Sequence, residues 1–523
     1  MPDDSTREAT TALPSGGLLK TSGFIALANL IGRLLGFAGD TVKSYYFGAG
    51  GVVDAFNVAA AVPTLLNDLL IQSLVNSAYI PVFNDYSAEQ LARLSSALIN
   101  ITSLFFATIV LIMELAAPLL ASILNGGAPV DMQALTVNLL HITIPALFVL
   151  NFSAIVSGLL YAKQRVVLPA IAALVFNGTI LLAAFLLHGQ LGIGALALGL
   201  LLGAVLQLAV QLYGLRGTQL PYHLIFWHPG IRRIVMLFSP ILLGLLIEVF
   251  LSRPLTYAFA SQTGEGGIAW MGYALTLRQL PEGLIASALS ITVLVRLSAV
   301  PPDNLLSFRE TLAGGLRLAF LLIIPASVGL FLLAHPITAL LFEHGNFSPF
   351  DTGIVTQALR WYLVGLPFST IDLLLVVAFY ARRNTLTPAL IGLFTTFAYI
   401  GLAKALLPVM GLYALMAADS IRFLLHTALS FLFLFRSVDG LSNLGIYRTL
   451  RQSLLAVIVM GVVVGAATGI MSSGDNILSK LLAVVVPVVV GLLVYLAMLV
   501  ALGVDEISLL RQLFASLRNR QTR

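Results

Sequence analysis

The chain has 523 residues, of which 59% are hydrophobic and 10% charged, with a formal net charge of +5 and a mean hydropathy of +0.98. A soluble domain carries about 25% charged residues, so this composition excludes a water-soluble globular protein and makes lipid the solvent for much of the surface. Cysteine is absent, which excludes disulfides and thiolate metal sites.

The first nineteen residues are polar and mixed in charge, with Asp3, Asp4, Arg7 and Glu8. They are expected to form a cytoplasmic tail without a cleaved signal peptide, because no short apolar core precedes a small-residue cleavage site. Crossing a bilayer takes about 20 apolar residues in a helix. Such stretches are expected at 22–46, 54–82, 96–124, 134–161, 166–187 and 191–213, then after a polar linker at 234–260, 268–299, 311–334, 352–380, 386–407 and 411–435. A last pair is expected at 450–471 and 477–502. If these loops are numbered alternately, one set of loops and flanks holds twenty of the 28 basic residues, among them Arg93, Lys163, Arg165, Arg216, Arg232, Arg382 and Arg436. The other set holds four, Lys43, Arg360, Lys404 and Lys480. That asymmetry predicts fourteen helices with both termini in the cytoplasm.

An internal repeat organises these spans. Tyr161 to Ala170 (YAKQRVVLPA) echoes Tyr380 to Ala389 (YARRNTLTPA) at an offset of 219, and Gly192–Leu196 maps onto Gly411–Leu415 at the same offset. An offset of 218 places Ala117-Pro118 on His335-Pro336 and Pro63 on Pro281. Six helices separate equivalent positions, so the copies share an orientation and an axis along the membrane normal relates them. Two parallel halves facing each other suit a transporter with a central site. The expected fold is an all-α polytopic membrane protein: a tail (1–19), a six-helix lobe (20–213), a cytoplasmic linker (214–231), a second six-helix lobe (232–435), a helix pair (436–503) and a basic cytoplasmic tail (504–523).

Enzyme signatures are missing. There is no Walker A loop and no HExxH motif, and the seven histidines lack metal-ligand spacing. The chain is therefore expected to be neither an enzyme nor a metal or cofactor protein, a coupling ion aside, and to bind no nucleic acid. The informative residues are polar ones inside spans, where a charge costs at least about 2.5–3.5 kcal/mol. Arg33 and Asp40, seven apart, share one face of the first span. Arg253 in the seventh span and Arg278 in the eighth join Arg33 as candidates for a cationic central cavity, since guanidinium groups match phosphate oxygens. Asp54, Asn57, Asn67, Asp68, Gln72 and Asn76 make the second span unusually polar, with a face suited to a wet cavity. Local pairing is the competing reading: Glu248 with Arg253, Arg278 with Glu282, and Asp419 with Arg422. Glu114, His141, Asn177 and Gln207 stand isolated and read as helix-packing groups.

Arg33-Leu-Leu-Gly-Phe-Ala-Gly-Asp40, then Phe47-Gly-Ala-Gly50 and Asp54-Ala-Phe56, resemble the N-terminal signature of the MurJ (MviN) family of bacterial lipid II flippases, within the multidrug/oligosaccharidyl-lipid/polysaccharide exporter superfamily. Leu341 to Phe347 (LFEHGNF) with Asp351, Phe379 to Arg382 with Thr387-Pro388, and Trp270-Met271 with Tyr273 and Pro281-Glu-Gly283 are similar to later family segments. The resemblance implies a two-lobe, fourteen-helix fold in the bacterial cytoplasmic (inner) membrane. It implies alternating-access movement of a polyprenyl-pyrophosphate-linked peptidoglycan precursor, lipid II, to the outer leaflet for cell-wall synthesis, in the company of membrane lipids and cell-wall synthesis proteins. The last two helices would then form a groove for the lipid tail. Arg33 and Asp54 match the family pattern directly. Gly39, Asn67, Asp68 and Gln72 depart from it, and Thr276 stands at a family arginine position, with Arg278 two residues, about 200° of helix, further on. Candidate substrate contacts are therefore Arg33, Asp54, Arg253 and Arg278, with Asp40, Asn57, Asn67, Gln72, Thr276 and Glu282 as cavity lining. The competing functions are export of another polyprenyl-pyrophosphate-linked oligosaccharide and a non-transporting scaffold for envelope synthesis.

Overall fold

The computed structural model describes residues 16–68, 74–75, 78–218, 221–301, 304–438, 440, 444–471 and 476–506; side chains are described from residue 31 onward, except at 33, 68, 84, 88, 240, 241 and 243. Among the described residues there is no strand. The helices are α1 (Gly16–Phe47), α2 (Gly51–Asp68), α3 (Ile80–Asn84), α4 (Ala88–Leu115), α5 (Ala117–Leu124), α6 (Val130–Ala162), α7 (Val167–Leu191) and α8 (Gly194–Gly214). There follow α9 (Pro229–Ile247), α10 (Arg253–Ser261), α11 (Gly267–Pro281), α12 (Ser287–Ser298), α13 (Leu305–Leu332) and α14 (Ala334–Leu341). The chain continues through α15 (Pro349–Ala381), α16 (Leu386–Met410), α17 (Tyr413–Ser437), α18 (Ile446–Ile470) and α19 (Ile477–Ala501). Two π-helical segments, Glu248–Ser252 and Glu282–Ala286, join α9 to α10 and α11 to α12.

Eleven helical stretches among the described residues are long and apolar enough to cross a membrane, or twelve with the bent pair Pro229–Ser239 and Gly244–Ser261. This is a multi-pass membrane protein. The expected second span, 54–82, runs across residues 69–73 and 76–77, outside the described residues. The expected 96–124 and 311–334 spans each end in a break, α4 giving way to the eight-residue α5 and α13 to the eight-residue α14. Pro118 and Pro336 lie in the first turns of the short helices, where a missing N–H withdraws a bond from the preceding turn.

The sequence repeat reappears in the backbone. Helices α4, α5, α6 and α7 have 28, 8, 33 and 25 residues, and α13, α14, α15 and α16 have the same four lengths in the same order. Gly192 and Gly411, 219 apart, end their helices at φ 53°, ψ −136° and φ 55°, ψ −135°, a conformation open to glycine alone. Gln164 and Arg383, also 219 apart, are the only non-glycine residues at positive φ among those described.

Contacts divide the described chain into two compact units. One comprises Met1–Lys43, Val58–Ala121 and Ala134–Leu242; the other comprises Ser44–Asn57, Ser122–Gln133 and Leu243–Arg523. In the first unit, α7 and α8 approach closely because Gly199 has no side chain; a Cβ there would lie 2.7 Å from the Ala183 Cβ. Small residues at such crossings are how membrane helices pack without a hydrophobic drive. Ala146 and Leu150 of α6 and Leu200 and Ala204 of α8 form a core cluster there. In the second unit Leu312 and Leu316 of α13, Leu374 and Leu375 of α15 and Leu434 of α17 pack together.

Residues 221–228 of the linker before α9 form no regular secondary structure and lie against α4. Asn100, buried on α4, donates from Nδ2 to the carbonyls of His223 (3.2 Å) and Ile225 (2.7 Å) and accepts from the Tyr222 hydroxyl. Ser96 Oγ accepts the His223 N–H at 3.0 Å. These bonds fix the alternation that leaves Tyr222, Leu224 and Phe226 exposed. Asn100→Ala removes all three Asn100 bonds and should loosen the linker by about 1–3 kcal/mol. Limited proteolysis should then cut between residues 214 and 230 faster than in the wild type, and an unchanged rate would refute this anchoring.

Candidate transport site

Two polar constellations stand out, both in the second unit. The first surrounds Asp54, in the first turn of α2 and 2% exposed. Its Oδ2 accepts the Gly266 N–H and its Oδ1 the Ala269 N–H, both at 2.7 Å. Helix α11 starts at Gly267 behind Gly266, a glycine N-cap with φ 91° and no side-chain acceptor of its own. Asp54 therefore supplies from a distant segment the anion that a helix N-terminus favours. The approach is close enough to demand glycine, since a Cβ on Gly266 would lie 2.2 Å from the Ala49 carbonyl oxygen.

Neighbouring bonds tie down the same segment. The Tyr273 hydroxyl donates to the Gly48 carbonyl at 2.9 Å. Asn346 donates its backbone N–H to Tyr45 O (2.9 Å) and its Nδ2 to Tyr46 O (2.6 Å). Trp270 Nε1 donates to Asp351 Oδ1 at 2.7 Å, while Asp351 Oδ2 accepts the Ser348 N–H in the capping box that starts α15. The rings of Tyr273, Phe342 and Phe347 pack at 4.9–5.9 Å between centroids. Helix α15 starts at this cluster and, over 33 residues, carries the chain about 50 Å away to the basic turn at Arg382-Arg383.

The second constellation is a chain of alternating charges. Arg253 Nε bonds Glu248 Oε1 at 2.8 Å, and Arg422 reaches Glu248 at 4.0 Å and Asp419 at 2.9 Å. Arg278 bonds Asp419 Oδ2 at 2.6 Å and lies 3.6 Å from Glu282. Arg278 and Arg422 both lie over the Phe423 ring, Arg278 also over Tyr362 and Arg422 over Tyr399. The three local pairs anticipated from sequence all form. The Glu248–Arg253 pair depends on the π-helical segment, because five residues of α-helix would separate the two by about 140° around the axis. Pro254 lacks the N–H that would continue α-helical bonding there. Three arginines and three carboxylates balance, so the network is formally neutral as it stands. Arg278 is 4% exposed while Arg253 is 41% exposed, which leaves Arg253 the more accessible guanidinium.

Other sequence candidates are dispersed. Asp40 pairs with Lys43 at 2.7 Å on α1. Arg33 lies on the same helix, its side chain outside the described residues, and Gln72 also lies outside them. Asn57 lies beside Gly272 of α11, and Thr276 is half-buried one turn further along that helix. The Asn67 Oδ1 is buried without a hydrogen-bond partner. Glu114 and His141, read as isolated, pair with each other between α4 and α6.

The family model described as "Lipid II flippase MurJ" matches residues 43–498. The chain belongs to the lipid II flippase MurJ family. Among its relatives is the lipid II flippase MurJ of Burkholderia cenocepacia, 30% identical over 392 residues, covering 72% of this chain and 75% of the relative. The probable lipid II flippase MurJ of Treponema pallidum is 27% identical over 466 residues, covering 85% and 87%. A solved lipid II flippase MurJ in an inward closed conformation superposes with a TM-score of 0.80 at 25% identity, over 92% of this chain and 99% of that one. An inward-facing multidrug resistance MATE transporter matches at a TM-score of 0.66 and 18% identity, covering 78% of this chain and 95% of that one, a likeness of fold alone. The stretches that resemble MurJ-family motifs, around Phe47–Phe56, Trp270–Tyr273 and Leu341–Asp351, are those that converge on Asp54. Sequence reasoning did not single out Asp372 and His426, whose side chains meet at 2.6 Å between α15 and α17. Their separation of 54 residues gives no local pattern to read.

Proposed function

We propose that the chain flips lipid II from the inner to the outer leaflet of the bacterial cytoplasmic membrane by alternating access. The observation that carries this reading is the family match across residues 43–498. The fuller architecture belongs to the same proposal: fourteen crossings, two six-helix lobes (20–213 and 232–435) related by an axis along the membrane normal, a linker at 214–231, a helix pair at 436–503 for the lipid tail, and cytoplasmic termini, including the 504–523 tail. The repeated helix lengths and repeated turn conformations support the two-lobe arrangement. Basic residues at Lys163, Arg165, Arg382 and Arg383 support a cytoplasmic position for those turns, and hence an outer position for the Asp54 cluster at the other end of α15.

Helices α1 and α2 cluster with the first unit along most of their length, yet the segment joining them, Ser44–Asn57, clusters with the second. The Asp54 bonds therefore act as a latch that holds this segment within the second unit and must open for the segment to move. Arg253 receives the pyrophosphate by exchanging Glu248 for phosphate oxygens, with Arg33 kept as a further candidate contact from the sequence. Arg278 holds the helices that carry the site. No nucleotide-binding loop is visible in the sequence, so an ion gradient, the membrane potential, about 2.3 kcal/mol per charge per 100 mV, or substrate flux drives the cycle. Expression in a bacterium depleted of its own lipid II flippase should restore growth and surface lipid II. Correct membrane insertion with neither restored would overturn the reading.

A further inference from the structure

The second unit contains a cavity of about 270 Å³ lined by residues of α9, the Glu248–Ser252 segment, α15, α16 and α17. Asp372, Arg422, His426 and Glu248 face it. His426 Nδ1 lies 2.6 Å from Asp372 Oδ1, and the Ser430 hydroxyl donates to the same oxygen at 3.3 Å. A carboxylate oxygen only accepts, so the Nδ1–H donates to it and the lone pair of the neutral ring resides on Nε2. Nε2 is directed toward Gly392, where a Cβ would lie 3.6 Å away, and Gly392 itself lines the cavity. Asp372 is nine residues from the end of α15 and His426 eleven from the end of α17. At 1.5 Å per residue they lie about 14 and 17 Å inside those helix ends, within two of the helices long and apolar enough to cross a membrane.

The repeat supplies a control within the molecule. Subtracting 219 from Asp372, His426 and Ser430 gives Ser153, Gln207 and Gln211. In the first unit these three form a buried neutral ladder: Gln207 Nε2 donates to Ser153 Oγ at 2.7 Å and Ser153 Oγ donates to Gln211 Oε1 at 2.8 Å. The fold's need for polar bonding at this crossing is therefore met by uncharged groups. The second copy instead carries a carboxylate and an imidazole beside a cavity with room for several waters. Among the described residues His426 is the one basic partner paired with Asp372, so the proton on the imidazole decides whether a negative charge within a span is balanced.

We propose that Asp372 and His426 form a proton-binding site, loaded and unloaded once per transport cycle, and that the proton is the ion coupled to flipping. The proposal rests on the transport reading above. The proton adds to the Nε2 lone pair, the Nδ1–H bond to Asp372 stays in place, and release returns the proton to cavity water, with no other bond made or broken. Arg422 transmits the change, lying one turn before His426 on α17 and facing the same cavity. Beside a charged imidazolium it is driven toward Asp419 and Glu248; beside a neutral ring it is drawn to Asp372. Glu248 is the partner of Arg253, so the proton's presence alters how tightly Arg253 is held. The other ionisable groups facing the pair are Tyr380 on α15 and, through Arg422, Tyr399 on α16.

The test uses the full chain in lipid bilayers with ¹⁵N-labelled histidine. The imidazole signal absent from His426→Gln should convert between imidazolium and neutral ring as the pH of the bilayer sample is changed; a signal that never changes while the protein stays folded overturns the site. A triple variant, Asp372→Ser with His426→Gln and Ser430→Gln, rebuilds the neutral ladder of the first unit and should keep a cooperative thermal transition. In proteoliposomes with the potential clamped at zero, wild-type protein should drive a fluorescent lipid II analogue up to about tenfold out of balance per pH unit across the membrane. The ladder variant should leave the leaflets equal. Wild-type flipping that ignores the pH gradient overturns the coupling. A titrating His426 in a protein that moves no lipid II counts against the flippase reading alone, and the proton site stands.

Discussion

Asp54→Asn should lower flipping at least about tenfold while leaving expression and membrane insertion intact. The carboxylate accepts two backbone N–H groups at a helix start, and hydrogen bonds to a charged acceptor contribute about 1.5–3 kcal/mol each. Asparagine keeps one acceptor oxygen and turns an NH2 group toward the second N–H donor, so one bond and the charge are lost together. A loss of about 2–3 kcal/mol would reduce the latched population by roughly 30- to 160-fold relative to the unlatched one. A carrier starved of one of its two states cannot complete its cycle. The absence of cysteine makes the test direct. Ala55, wholly buried on the latched segment, is replaced by cysteine in both backgrounds and exposed to a membrane-impermeant maleimide. Labelling should be slow in the wild-type background and fast with Asp54→Asn. Equal rates would show that the carboxylate does not hold the segment.

Asp419→Asn should destabilise the protein by about 3–5 kcal/mol, because it leaves a buried arginine with only the longer, 3.6 Å contact to Glu282. Arg278 is that arginine, 4% exposed and 2.6 Å from Asp419. Arg278→Gln alone should be nearly as damaging, since it leaves Asp419 to Arg422 alone. The double variant should recover much of the loss, because neither charge remains to be desolvated. A double-mutant cycle on thermal unfolding in detergent should therefore show a coupling of about 2 kcal/mol or more; additive effects would rule out a mutual role. Arg253→Gln provides the contrast. At 41% exposure its pair with Glu248 is largely screened and contributes little to stability. This substitution should leave the melting temperature almost unchanged while abolishing flipping. Of two arginines that look equivalent in sequence, one would then be assigned to the scaffold and the other to the substrate.

The helical, membrane-spanning class was legible from composition alone, and the motif pieces that meet at Asp54 were legible as a family resemblance. Each is a local signal: apolar length, basic flanks, short motifs such as Phe47-Gly-Ala-Gly50. Asp54 itself could be marked by its motif, yet its partners Gly266 and Ala269 lie more than 200 residues away, and nothing along the chain names them. The pairs Glu248–Arg253, Arg278–Glu282 and Asp419–Arg422 could be read from spacing. The 2.6 Å bond from Arg278 to Asp419, which turns those pairs into one neutral network, could not.

The sequence by itself determined that this chain lives in lipid, that it is built from helices, and that several short segments recur at an offset of 218–219. Those properties follow from the cost of apolar surface in water and of unpaired backbone groups in lipid, and both act residue by residue. Tertiary structure decided which charges are cancelled and which stay accessible. It bent α9 and α11 into π-helical segments at Glu248 and Glu282, and it set Asp372 against His426 where the other copy has Ser153 against Gln207. The energy of a charge at bilayer depth depends on what lies within a few ångströms of it, and only the packing of distant helices supplies that neighbour.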